Sequence, residues 1–524
     1  MKQTEIPIPF SDVSRAPSLR AGIVVACLLT GACAAGPDFH AAKAPEGAGY
    51  TAGPLVERTA AAPAVPGGDP ERFVMGRDIP FAWWKEFGSA RLDALVERAL
   101  ADSPTLEAAQ SALRQAHQQT AAQRGFFFPS VTGSFTPSRQ QIAGNMSSND
   151  PGQQGNGNVL SATTPQPLIY TFYTAQVGVS YSPDVFGGNR RQVESLKAQE
   201  EATRFQMEAA YITLTTNVVA AALQEAALEG QIGAAKTFVE VNRKALDILH
   251  AQLREGLVTR LDVAQQESAL AQAEAQLPPL AKQLEQTHDL IRALVGALPN
   301  DQADLTFDLD SFRLPRELPL SLPAQLIAQR PDVRAAEAQV HSASAEVGVA
   351  FAARLPQFTI TGAYGGAAQG VDQLFAAGGP FWNIIGNVMA PIFDGGTLAH
   401  RHHAAREALV QARAQYRGTV IAAFQNVADT LHAVQADADG LVAAGNAETA
   451  AKVTLDITRD QYRAGYVSYQ TLLLAEGAYQ QALVGRIQAQ TNRYGDAASL
   501  FQALGGGWWN RTAANTDGTS GRTG

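Results

Sequence analysis

Two stretches of the chain repeat apolar and small residues at the three-and-four spacing of one helical face. In the first, Met207, Tyr211, Leu214, Val218 and Ala222 fall on one stripe; in the second, Tyr416, Val420, Phe424, Val427, Leu431 and Val434 do. No proline interrupts residues 190–254. Each run therefore predicts a helix of about 65 residues, or roughly 100 Å at 1.5 Å per residue. A helix of that length cannot fold back on a small core, so it is expected to lie along others in a coiled coil. A second pattern has period two. Tyr173, Ala175, Val177, Val179 and Tyr181 alternate with Thr174, Gln176, Gly178 and Ser180, as in a membrane strand with lipid on one face and water on the other. Strand character is expected at about 129–137, 170–182, 356–365 and 381–393.

These elements occur twice in the same order. Pro104-Thr-Leu-Glu-Ala-Ala109 and Pro129-Ser-Val-Thr-Gly133 are echoed 227 residues later by Pro331-Asp-Val-Arg-Ala-Ala336 and Pro356-Gln-Phe-Thr-Ile-Thr-Gly362. Gln252-Leu-Arg-Glu-Gly256-Leu-Val-Thr259 is echoed by Gln461-Tyr-Arg-Ala-Gly465-Tyr-Val-Ser468 at an offset of 209. The shorter offset places an insertion of about 18 residues in the first copy, and the polar, glycine-rich stretch 138–158 reads as that exposed loop. Each copy thus reads as helix, strand pair, and two long helices joined by a tight turn. The expected organisation is a signal segment at 1–32, an N-terminal periplasmic segment at 33–90, a first repeat at 91–300, a linker at 301–321, a second repeat at 322–506 and a polar tail at 507–524. The long helices are expected at about 190–255 and 259–298, then 397–464 and 468–504. Pro278-Pro279 should kink the return helix of the first copy.

Four strands are too few to close a barrel, and an open sheet edge in lipid leaves backbone groups unpaired. Closure by oligomerisation is the physical way out, and twelve strands from three chains would leave an aqueous lumen. No stretch reaches the 18 to 20 apolar residues of a spanning helix.

Composition and chemistry narrow the reading. The chain is 17% charged and 7% aromatic with a net charge of −9, and no dense basic run marks a nucleic-acid partner. Basic residues Lys2, Arg15 and Arg20, an apolar run at 21–29, and Thr30-Gly31-Ala32 before Cys33 form the layout of a secretory signal. Cys27 lies inside that run, so a chain beginning at Cys33 would form no internal disulfide. Leu29-Thr30-Gly31-Ala32-Cys33 resembles a bacterial lipobox with its leucine one position early, which makes Cys33 the candidate lipidation site; ordinary signal cleavage nearby is the alternative. No phosphate-cradling loop, nucleophile elbow or Cys-His pair supplies a catalytic candidate, and no cofactor is implied. His400, His402 and His403 fall short of a metal site without a carboxylate or cysteine beside them. Trp508-Trp509 reads as helix-end packing.

Phe81-Ala-Trp83-Trp84 with Phe87, Leu92 and Leu95-Val96, then Asp184-Val-Phe186-Gly187, Arg330-Pro331-Asp332, Phe393-Asp-Gly-Gly396 and Tyr462-Arg-Ala-Gly465, form an ordered set. That set resembles the TolC-like outer-membrane efflux factors, and Cys33-Ala-Ala-Gly-Pro37-Asp38 resembles the mature start of their lipoprotein branch. The resemblance implies a homotrimeric, 12-stranded outer-membrane β-barrel continued by a periplasmic α-helical barrel, an α+β membrane protein that is not an enzyme. It further implies a periplasmic adaptor and an inner-membrane pump of the resistance-nodulation-division type as partners, in a Gram-negative envelope. The implied adaptor-docking tips are Gly256, Leu257, Val258 and Thr259, and Gly465, Tyr466, Val467 and Ser468. The implied periplasmic gate takes the Asp262 carboxylate, with Thr471 and Leu474 where family members often carry Asp. Tyr462, about one helical turn from its own tip and so level with Asp262, is expected to donate a hydrogen bond to it; the alternative is Asp262 as a helix-start carboxylate and Leu474 as coiled-coil core. An outer-membrane component of type I protein secretion and a non-transporting coiled-coil envelope lipoprotein remain the alternatives.

Overall fold

The structure, a computed structural model, describes residues 36–41, 49–51, 53–63, 65–142, 168–301 and 305–511. The signal segment, Cys33, most of the expected 138–158 loop and the tail beyond 511 lie outside the described residues. The chain divides into two compact units.

One unit takes Met1–His40, His117–Ala198 and His341–Gln411. It holds an antiparallel sheet of β2 (Ser130–Ile142), β3 (Leu168–Tyr181), β5 (Gln357–Ala368) and β6 (Pro380–Met389), in that spatial order. The two hairpins, one from each repeat, join through β3 and β5, with Val179 opposite Gly362 and Tyr181 opposite Ile360. Following the register across the sheet puts Val131, Phe135, Val177, Val179, Ile360, Tyr364, Ile384 and Trp382 on one face. All eight are exposed apolar side chains. The other face carries Thr132, Ser134, Gln176, Ser180, Thr361 and Asn383, with Tyr170, Phe172, Phe381, Ile385 and Met389 as aromatic or apolar exceptions. β2 and β6 are edge strands and have no second neighbour among the described residues.

Two strand limits differ most from those expected. β2 continues past Pro137 to Ile142, absorbing the start of the expected loop. Proline is tolerated there because β2 is an edge strand and lacks one set of ladder partners. β6 stops at Met389 instead of running to 393; Pro391 has no N–H to give the ladder, and Ile392 and Phe393 stand fully exposed beyond it.

The junctions to the long helices are built twice on one plan. Asp184 accepts the N–H groups of Asn189 and Arg190, each at 2.9 Å, at the start of α3 (Gly188–Arg254). Asp394 accepts those of Gly396 and Leu398 at the start of α8 (Thr397–Arg463). The acid neutralises orphan donors of the first turn, and these backbone bonds hold the Asp394 carboxyl below its ordinary range. Both α3 and α8 are 67 residues long.

The other unit takes Ala41–Ala116, Gln199–Val340 and Ala412–Gly524. It includes β1 (Arg72–Met75), paired in parallel with β4 (Glu317–Leu320), and α1 (Ala90–Asp102). Its return helices are α4 (Arg260–Ala275), α5 (Leu277–Leu294) and α9 (Tyr469–Ala503). The expected kink is a break at Gln276, immediately before Pro278 and Pro279 in the first turn of α5, where their missing N–H groups cost nothing. Proline-free α9 runs unbroken through 35 residues.

The aromatic motif near the N-terminus is core. Trp83, Phe87, Leu92 and Val96 are buried with Val427, Leu431 and Val434 of α8, and Trp83 stacks on Phe501 at 5.3 Å. The Arg330-Pro331-Asp332 motif is a strut: Arg330 makes a two-pronged ion pair with Asp332 and donates to the Ala503 carbonyl at 2.8 Å, tying the start of α7 (Pro331–Ala352) to the end of α9. Trp508 and Trp509 donate their indole N–H groups to the Gln329 carbonyl and to Asp78.

One contact between α8 and α9 is pH-sensitive. Burial, then a hydrogen bond with Asp437 and that residue's charge, push the Asp496 carboxyl from 3.8 up to about 7. The folded chain therefore holds a proton that the unfolded chain releases. The contact's contribution is complete below pH 3.8 and is lost as pH rises through about 7. Asp496→Asn is expected to raise the thermal midpoint at pH 8 by a few degrees and to leave it unchanged at acid pH. An equal shift at both, measured by circular dichroism, would refute the shared proton.

Candidate functional site

The two helical hairpins end in turns of one design. α3 stops because Gly256 takes φ 71°, its N–H reaching the Leu253 carbonyl while the Leu257 N–H reaches that of Gln252. At the end of α8, Gly465 takes φ 79°, with matching bonds to Tyr462 and, from Tyr466, to Gln461. A side chain at either glycine would strain the left-handed backbone, so glycine is a requirement of the turn. Three residues on, Thr259 caps α4 and Ser468 caps α9.

Within each tip the two apolar residues part company. Leu257 and Tyr466 are 74% and 83% exposed, whereas Val258 and Val467 are half-buried. Val258 packs on a small core of Leu249, Val263, Leu455, Tyr469 and Leu472, with Tyr462 at its margin. That core is shared by α3, α4, α8 and α9, so the two hairpins are fused side by side close to their tips. Leu261, 65% exposed one residue into α4, is a further outward apolar group that the sequence reading passed over.

The four gate candidates occupy different environments. The Asp262 carboxylate is committed to its own helix: it accepts the Thr259 N–H at 2.8 Å and the Thr259 hydroxyl at 2.6 Å, while its N–H meets Thr259 Oγ1 at 3.3 Å. This reciprocal capping box, the hydroxyl bond foremost, lowers its pKa. The expected hydrogen bond from Tyr462 is not among the described contacts of the chain. Tyr462 instead packs its ring on Tyr469 at 5.4 Å; burial first, and the Asp262 charge second, raise its pKa. Thr471 pairs with Ser468 in the α9 cap, at 3.0 Å between hydroxyls. Leu474 is 69% exposed. It lines a groove of about 640 Å³ with Phe238, Gln265, Ala269, Leu473 and Gln481.

A buried polar tie lies just above this level. Gln266 of α4, with no exposed surface, donates to the Asn242 carbonyl and side-chain oxygen of α3 at 2.7 and 3.0 Å, and accepts from the Tyr469 hydroxyl of α9. Asn242 completes its own valence on the Phe238 carbonyl at 2.8 Å. Every donor and acceptor of Gln266 is thus used, and one side chain joins three helices from both hairpins. Removing it strands buried partners, which costs about 1–3 kcal/mol. Gln266→Leu is therefore expected to speed amide exchange in α4 and the first turns of α9 roughly tenfold or more, with Tyr469→Phe having a smaller effect. Unchanged exchange in both would show that the tie does not hold the hairpins.

These features can be compared with known proteins. The family described as outer membrane efflux protein matches residues 95–297 and 322–506, most of the chain and both repeats. The pyoverdine export outer membrane protein OpmQ of Pseudomonas aeruginosa is 30% identical over 493 residues, covering 93% of this chain and 96% of its own. The toluene efflux pump outer membrane protein TtgC of Pseudomonas putida is 27% identical over 503 residues, covering 94% and 96%. The CmeC outer membrane channel of Campylobacter jejuni superposes with a TM-score of 0.78 at 22% identity, over 93% of this chain and 97% of that one. With the duplicated sheet hairpins, the paired tips and a family match that spans both repeats, the chain belongs to the outer membrane efflux protein family.

Proposed function

We propose that three copies of this chain form a passive duct that carries small toxic molecules across the periplasm and the outer membrane. The observation that carries this reading is the four-stranded sheet, apolar on one face and richer in polar residues on the other, with β2 and β6 lacking a second neighbour among the described residues. Lipid supplies no hydrogen bonds, so the edges of β2 and β6 must meet those of neighbouring copies. Two copies would give eight strands and a barrel filled by its own side chains; three give twelve and room for water. The polar face then lines the lumen. The 67-residue helices supply the length of a periplasmic extension. The named relatives export pyoverdine and toluene, which supports a small-molecule cargo here. A duct of this kind performs no bond chemistry, and its energy comes from an inner-membrane pump of the resistance-nodulation-division type through a periplasmic adaptor.

The tips are the adaptor contact in this reading. Leu257 and Tyr466 project from turns whose glycines are needed only for the backbone, and exposed apolar side chains in paired positions mark a contact. The gate lies one to three turns further in, at the level of Asp262, Tyr462, Thr471 and Leu474. Asp262 and Thr471 fix the direction of α4 and α9 through their caps, and Tyr462 packs the hairpins together. Leu474 offers a ring of three leucines that resists wetting. Cys33 carries lipid and adds to the anchorage supplied by the barrel.

Three measurements test the reading. Leu257→Asp with Tyr466→Asp is expected to reduce drug resistance several-fold with trimer abundance unchanged, since a charge at an apolar contact is desolvated without a partner; normal resistance would make the tips mere turns. Leu474→Ser is expected to raise single-channel conductance in a planar bilayer, and a closed channel with intact trimers would end the apolar-gate reading. Cys33→Ser should abolish labelling by a fatty-acid probe, and persistent labelling would remove the lipid from Cys33.

A further inference from the structure

The described chain resumes at Gly36 and is pinned at once. Arg191 donates to Asp38 at 2.7 Å and to the Gly36 carbonyl at 3.4 Å, and Phe39 stacks on His341 at 4.4 Å. Beside this anchorage opens a cleft of about 530 Å³ whose walls include Arg124, Phe127, Phe128, Arg190, Lys197 and His341. Its chemistry is divided. Phe127 and Phe128 supply an apolar side, and Phe128 is largely exposed. Among the other lining residues the cations outnumber the single carboxylate, Glu194, which is taken by Arg191 at 2.7 Å and His341 at 2.9 Å. Arg190 is held by Asp184 at 3.3 Å. Arg124 and Lys197 are exposed, and neither has a carboxylate partner among the described residues.

The position of the cleft matters as much as its composition. Phe128 lies two residues before β2 begins, and Arg190 nine residues after β3 ends. The cleft therefore sits where the sheet gives way to helices, which is the periplasmic boundary of the membrane if the sheet spans it. Arg354 and the exposed Phe393 stand at the corresponding junctions of β5 and β6. A free anion in water would need no aromatic wall, and a neutral lipid would need no pair of unmatched cations. An anionic lipid uses both.

We propose that this cleft binds the headgroup of an anionic phospholipid of the periplasmic leaflet. Arg124 and Lys197 face the phosphate, and Phe127 and Phe128 pack against the glycerol and the first acyl carbons. The site would sit beside the residues that follow Cys33, so the membrane grips the chain there by bound lipid as well as by the sheet. The inference rests on the outer-membrane duct reading.

The test uses the full chain, purified as its assembled oligomer and placed in nanodiscs of phosphatidylcholine alone or with phosphatidylglycerol added. Native mass spectrometry counts the lipids retained, and conductance is recorded after the same purified oligomer is inserted into a planar bilayer. Phosphatidylglycerol is expected to be retained in preference to phosphatidylcholine. Retention should fall on the order of tenfold in Arg124→Gln/Lys197→Gln, from two charges lost at a lipid surface, and survive in Arg124→Lys/Lys197→Arg. Lys197→Gln alone, an exposed substitution, gives a partial loss should the double variant fail to assemble. Equal retention of the two lipids, or unchanged phosphatidylglycerol in the glutamine variants, overturns the site. Loss of the oligomer in those variants, with no lipid preference in the native chain, assigns the cleft to a subunit contact and overturns it equally. A conducting channel without lipid preference defeats this inference alone, whereas lipid preference with no conductance from either the native oligomer or its Leu474→Ser variant counts against the duct reading and not against the lipid site.

Discussion

A backbone amide in hydrocarbon has nowhere to turn but another backbone, and the rest of the molecule follows from that constraint. Each chain contributes two hairpins joined through β3 and β5, which satisfies the inner strands and leaves β2 and β6 open. The apolar face, from Val131 across to Trp382, fits the sheet to lipid, and lipid makes the open edges costly. Assembly is then a condition of folding in the membrane and not a later refinement.

The helices carry a different constraint. α3 and α8 are far longer than any core that one chain can build around them, and most of the buried stripe on each is Ala, Val and Leu. Their ends are consequently specified with care. Asp184 and Asp394 set where they start, Gly256 and Gly465 where they stop, and Thr259 and Ser468 where the chain turns back. Polar ties such as Gln266 with Asn242 and Tyr469 fix how the hairpins register, a task that repetitive apolar stripes perform poorly because neighbouring registers bury similar area.

Much of this was legible because it is periodic. The helical stripes, the alternation along β3 and the duplicated motifs are patterns of many residues, and each survives local exceptions. What escaped was set by single contacts. β2 passes Pro137, where the rule against proline in strands does not hold at an edge. The expected bond from Tyr462 to Asp262 turned on one side-chain orientation, whereas the bonds of Asp262 with Thr259 follow the Thr-x-x-Asp spacing of a helix start. Gln266 is one of many glutamines in its region, and nothing in its spacing distinguishes the buried one from its solvated neighbours. The apolar tip residues looked equivalent in sequence, but Val258 turns into the hairpin while Leu257 turns out.

The break at Gln276 makes the duplicated arms mechanically unequal. One return arm is two rods that meet at Gln276, and the other is a single beam of 35 residues. Under a common load at the tips, bending would concentrate at the jointed arm, while the beam would transmit displacement along its whole length. A chain rebuilt from two identical second repeats would keep the strands and the turns but lose that compliance, and its bundle would resist twisting alike all the way round. The paired prolines would thus divide the labour of the duplication, with one arm yielding and the other conveying.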